Sequence, residues 1–164
     1  MVSIPLENAF SLFAEAPPID AKLVAGILSR VLHITSAIIL GGGLFYLKTV
    51  LSPAGVEACY ANRRQVWARW IHVAIVLLLA SGTYNLISII SKAKAAGAPL
   101  PPTYHALFGV KFLLGLLVMF VASILAGRTT AADKFRAHMA KWLNVGWLAV
   151  LAIVVIGAVL RTFH

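Results

Sequence analysis

Four stretches of this chain, residues 22–51, 66–90, 104–127 and 139–163, are apolar almost without interruption, and polar and turn-forming residues collect between them. Each reaches the roughly 20 residues that carry a helix across a hydrocarbon layer. The breaks hold helix start and stop signals. Pro17 and Pro18 precede Asp20, a predicted N-cap for the first helix, and Pro53 follows its end. Gly97, Pro99, Pro101 and Pro102 separate the second helix from the third, with Thr103 the predicted cap of the third. Asp133 is the predicted cap of the fourth, which begins before the membrane. Residues 1–21 are expected to form a short external segment. They carry Glu7, Glu15 and Asp20 without a basic start, unlike a signal peptide, while Phe10, Leu12 and Phe13 suit a short interfacial helix. The expected fold is all-α: an integral membrane four-helix bundle, up-down-up-down, in a single domain over residues 1–164.

Composition agrees with this pattern. With 164 residues, 61% of them hydrophobic and 12% charged, and a mean hydropathy of +0.93, a soluble domain is excluded. The formal charge of +9 would suit nucleic acid if it formed one face, but its distribution argues otherwise. Lys48, Arg63, Arg64 and Arg69 cluster in or beside the first connection, and Arg128, Lys134, Arg136 and Lys141 around the third. The positive-inside rule makes those two connections cytoplasmic and puts both termini outside. Trp67, Trp70 and Trp142 then fall near the inner interface, as an aromatic belt requires. The expected partner is a lipid bilayer rather than nucleic acid, and the expected location is a bacterial cytoplasmic (inner) membrane. The single Cys59 excludes an internal disulfide and leaves too few thiols for a zinc or iron–sulfur site within one chain. No acid–base pair, nucleophile triad or phosphate loop supports a hydrolase or a kinase.

Chemistry is concentrated in a phrase that occurs twice, Arg30-Val31-Leu32-His33 and Arg69-Trp70-Ile71-His72. An ionisable side chain at the centre of a membrane helix costs about 2.5 to 3.5 kcal/mol on insertion scales and usually marks function. One helical turn separates Arg from His, so the imidazole suits a haem iron while the guanidinium suits a propionate. By helical rise, His33 lies roughly 16 Å along its helix from Lys22, near the middle of a ~30 Å layer. The same reckoning sorts the candidates into two levels. The outer level holds His33, His105 and Lys111, with Arg30 nearer the outer surface. The inner level holds His72 and His138, with Arg69 nearer the cytoplasm. The pair His72 and His138 would bracket one iron and His33 another, giving one or two b-type haems per chain. Lys111 is expected to meet a counter-charge, a propionate or a substrate carboxylate.

Other residues have plainer readings. Ser29, Ala37 and Gly41 share the His33 face, followed by Gly42 and Gly43. That groove suits a flat macrocycle or close helix packing of the small-xxx-small type. Asn85 and Asn144 are expected to bond across helices, while Tyr84 and Trp147 either pack in the core or flank a cofactor. Lys92 and Lys94 are expected at the interface, and the terminal His164 has no inferable role.

The run Leu32-His33-Ile34 through Gly41-Gly42-Gly43-Leu44-Phe45-Tyr46-Leu47 resembles the opening helix of the HemJ-type protoporphyrinogen oxidases and the related copper-resistance D (CopD-like) membrane proteins. Lys111-Phe112-Leu113-Leu114 is similar to their lysine-bearing helix, and Lys141-Trp142-Leu143-Asn144 to their closing one. The resemblance covers nearly the whole chain. It implies a four-helix fold and, in the oxidases, a b-type haem with the residues matching His33 and Lys111 essential for activity. The chain departs from the oxidases where Lys48-Thr49 replaces a Pro-Arg and Val145-Gly146 a Glu-Pro. The expectation is therefore a cytochrome b-like protein in membrane electron transfer, with a membrane or periplasmic redox partner or a quinone, and with a homo-oligomer allowed. A HemJ-like oxidase and a CopD-like copper carrier are the alternatives. Copper is the lesser one, since Cys59, Met119 and Met139 are the only soft ligands beyond the terminal Met1.

Overall fold

A computed structural model describes residues 20–50 and 56–163, and of residues 56–62 the backbone alone. The helix expected around Phe10, Leu12 and Phe13, the Pro53 break and His164 lie outside the described residues. Five helices and a closing turn follow in order: α1 (Ala21–Thr49), α2 (Val56–Ala95), α3 (Pro102–Ala126), α4 (Thr130–Arg136), α5 (Met139–Leu160) and a 3₁₀ turn (Arg161–Phe163). Four of these, α1, α2, α3 and α5, are long and apolar enough to cross a membrane.

The ends follow from local chemistry. Asp20 caps α1 as expected, its carboxylate accepting the Leu23 N–H at 2.7 Å. At the far end of α2, Gly97 adopts φ +66°. The Gly97 N–H then reaches the Lys94 carbonyl and the Ala98 N–H the Ala93 carbonyl, each at 3.1 Å, a Schellman closure that needs a left-handed residue. α3 starts earlier than the Thr103 cap predicts. Pro101 is its N-cap and Pro102 its first residue, because a proline at that position lacks only an N–H that would have no helical partner. Asp133 does not cap the fourth span. It lies in the first turn of α4, whose cap is Thr129, and it pairs with Arg136. The cap position of α5 is His138, with no side-chain cap bond. α2 also begins ten residues before the apolar run does, since hydropathy marks where a helix is buried in lipid and not where its backbone bonding starts.

α1 packs chiefly on α2, and α3 on α5, while narrower α1–α5 and α2–α3 seams close the bundle. The first and third spans therefore lie across a diagonal, as do the second and fourth. Contacts descend along one helix as they ascend along its partner. Gly43 faces Trp67 and Gly82 faces His33 on α1–α2, Gly41 faces Val150 on α1–α5, and Gly146 faces Val121 and Leu44.

The buried apolar cluster occupies one half of the bundle. It comprises residues from Leu40 to Leu47 on α1, Ile71 and Ala74 on α2, Val118 to Leu125 on α3, and Leu143 and Ala149 on α5. Glycines allow this density. A Cβ at Gly146 would sit 3.2 Å from both a Leu44 and a Val121 methyl, and one at Gly43 would overlap the Trp67 ring. Association in lipid depends on such close packing, since burial from lipid has little hydrophobic drive.

Candidate functional site

The opposite half of the bundle, apolar on its outside, holds the buried polar side chains. Where α1 meets α2, Ser29 and Ser81 are buried and His33 is half-buried. The Ser29 hydroxyl stands 3.0 Å from Asn85 Oδ1 and 3.2 Å from the Ser81 carbonyl, and it donates to this pair of acceptors. Asn85 thus makes the cross-helix contact expected of it. Ser81 Oγ donates to the Leu77 carbonyl at 2.6 Å and lies 3.2 Å from His33 Nδ1. With the hydroxyl proton directed at Leu77, Oγ would accept from a His33 Nδ1–H, the tautomer that puts the lone pair on Nε2. A ligating histidine is ordinarily held in this way by its other nitrogen. Gly82 completes the seat, since a Cβ there would stand 3.2 Å from His33 Cε1.

Lys111, on α3, is half-buried. Its ammonium borders Gly157 of α5, where an added Cβ would lie 3.6 Å from Nζ. The α1–α5 register pairs Leu44 with Gly146 and Gly41 with Val150, and two further turns bring His33 level with Gly157. His33 and Lys111 therefore share one level. Arg30 is exposed on α1, and His105 is exposed near the start of α3, edge-on to Tyr104 at 5.9 Å.

The other predicted residues lie at the densely packed end. His72 is exposed, its Nδ1 turned back to the Ala68 carbonyl at 2.6 Å, and Arg69 is exposed one turn away. His138 is exposed at the cap of α5. His72 and His138 stand on the diagonal pair α2 and α5, which have little packing in common. Among the described residues no three His, Cys, Asp or Glu side chains converge as a metal-holding group. The glycine groove of α1 is used for packing: Trp67 fills the space over Gly43 and Val150 that over Gly41, while Gly42 faces outward. Trp147 packs on Phe45, ring centroids 4.9 Å apart.

Sequence reasoning missed Ser81 and Gly82. Their signal was a small polar pair inside an apolar span, a common helix-contact signature that does not say which residue it will meet.

Compared with known proteins, the chain matches no family model, no curated protein and no solved structure.

Proposed function

We propose that this protein is a cytochrome b-like membrane protein, with its four spans up-down-up-down in a bacterial cytoplasmic membrane, both termini outside, and one b-type haem in the half of the bundle that holds the buried polar side chains. The observation that carries this reading is the His33 seat: a half-buried imidazole whose Nδ1 is tied to Ser81, at the level of a half-buried lysine, in the half without the close-packed apolar cluster. These residues fit a haem. His33 Nε2, with His105 or Lys111, would hold the iron, and Lys111 or Arg30 would meet a propionate. The bound haem would supply one-electron chemistry toward a quinone or a membrane or periplasmic redox partner. The chain contains no Cys-x-x-Cys-His attachment sequence, so the haem is held non-covalently.

Optical spectroscopy of detergent-purified protein, expressed with ample haem, tests this directly. The expected result is a six-coordinate, low-spin Soret band that carbon monoxide barely alters, and His33→Ala removes most of it. A wild-type protein without a Soret band that binds copper tightly overturns the proposal in favour of a CopD-like carrier.

The shared level of His33 and Lys111 favours a second reading, a divergent porphyrinogen oxidase in which Lys111 holds a substrate carboxylate. Rescue of a strain lacking protoporphyrinogen oxidase, lost in both His33→Ala and Lys111→Ala, would establish that reading over the electron carrier.

A further inference from the structure

Outside that half, the groups that the haem proposal leaves unused converge at the opposite end of the bundle. Gln65, Arg69 and His72 from α2 and Arg128, just beyond α3, line one open depression together with Val73 and Ala126. Three features define what this depression can hold. Its two guanidiniums come from separate elements and address one space, whereas orienting charges need only be distributed around a loop. Its lining surface is mainly apolar, and Gln65, Arg69, His72 and Arg128 are the polar residues on it. Among the described residues that line it there is no carboxylate. Asp133, the nearby acid among the described residues, is engaged by Arg136, whose other guanidinium nitrogen donates to the Gly127 carbonyl. The depression is thus electropositive and amphipathic, and it lies where the transmembrane spans end.

We propose that this depression binds the phosphate headgroup of an anionic phospholipid, with Arg69 and Arg128 as forked donors to the phosphate oxygens and the first acyl carbons against Val73 and Ala126. Arginine suits this role because its planar fork matches phosphate oxygens two at a time. His72 lines the same depression, its Nδ1–H donating to the Ala68 carbonyl. Basic pockets between membrane helices recognise anionic headgroups by this combination of charge and adjoining apolar surface. A soluble phosphate ester shares the headgroup chemistry but has no use for the apolar lining. The site is independent of the haem proposal, using none of His33, Lys111 or their neighbours.

The test is native mass spectrometry of the full chain in a mild detergent, titrated separately with phosphatidylglycerol, phosphatidylcholine and inorganic phosphate. Phosphatidylglycerol is expected to bind one equivalent at least about tenfold tighter than phosphatidylcholine. Arg69→Gln combined with Arg128→Gln is expected to remove that preference, and Arg128→Gln alone to halve or further reduce occupancy. Lys92→Gln combined with Lys94→Gln removes the same charge at the far end of α2 and is expected to leave binding unchanged. Equal loss in the two double variants, or an unchanged preference in the Arg69 and Arg128 variants, overturns the site. Inorganic phosphate that displaces phosphatidylglycerol at equal concentration overturns the lipid assignment and makes this a soluble-phosphate site.

Discussion

A single imidazole carries most of the chemical information in this chain, and its environment sets which of its nitrogens is available. Ser81 ties Nδ1 of His33, so Ser81→Ala leaves the ligand present but unoriented. Loss of such a partner costs about ten- to a hundredfold in metal affinity. Haem retention through a dialysis series is expected to fall by that order in Ser81→Ala, with helix content by circular dichroism unchanged. Retention equal to wild type would mean that Ser81 serves helix packing alone. The glycines separate by surroundings in the same way. Gly43→Ala drives a methyl into the Trp67 ring, while Gly42→Ala meets open space. Overpacking of this kind costs about 1–3 kcal/mol. The expected outcome in chemical unfolding from detergent is a loss in that range for Gly43→Ala, with altered tryptophan fluorescence, and none for Gly42→Ala. His33 was legible in the sequence because a histidine deep in an apolar run stands out. Ser81 was not, because its role exists only once α2 lies beside α1.

At the scale of the element, each helix begins and ends by its own local chemistry, while hydropathy marks the four that are long and apolar enough to cross a membrane. α2 shows the two separating: its backbone runs Val56–Ala95, while the candidate span is Arg63–Ala95. The Gly97 closure gives a local test. Gly97→Ala keeps the chain in a left-handed conformation that a Cβ disfavours by about 1–2 kcal/mol. Amide exchange at residues 97 and 98 is expected to accelerate by at least an order of magnitude, while exchange near Ser81 stays unchanged. Gly109→Ala, at a mid-helix position with nothing within 4 Å of the added methyl, serves as a control that is neutral or mildly stabilising.

For the whole molecule, the division into a close-packed apolar half and a half that holds the buried polar side chains matters more than any one residue. It separates a rigid anchor from a region with polar groups to offer a ligand. The proposed orientation in the membrane rests on charge: the α1–α2 and α3–α5 connections carry the basic clusters, and the positive-inside rule would keep them in the cytoplasm. In a Cys59→Ser background, Ala98→Cys is expected to react with a membrane-impermeant maleimide from outside intact cells, and Ala131→Cys only after permeabilisation. The reverse pattern would invert the proposed topology and place the arginine depression on the outer leaflet.

The sequence by itself determined that the chain is helical and carries four spans, where most of the breaks fall, that Asp20 caps the first helix and that His33 and Lys111 lie deep in apolar surroundings. These properties depend on short-range propensity and on transfer from water to lipid, both of which sum over neighbouring residues. Only the tertiary structure decided that Trp67 and Val150 fill the glycine groove, that Ser81 and Gly82 seat His33, that Lys111 reaches its level, and that His72 and His138 stand exposed on diagonal helices. Those outcomes depend on the rotation and register of one helix against another. In lipid these are set by the fit of a few small residues against large ones, and a pattern of hydropathy along one helix does not name the residue it will meet on the next.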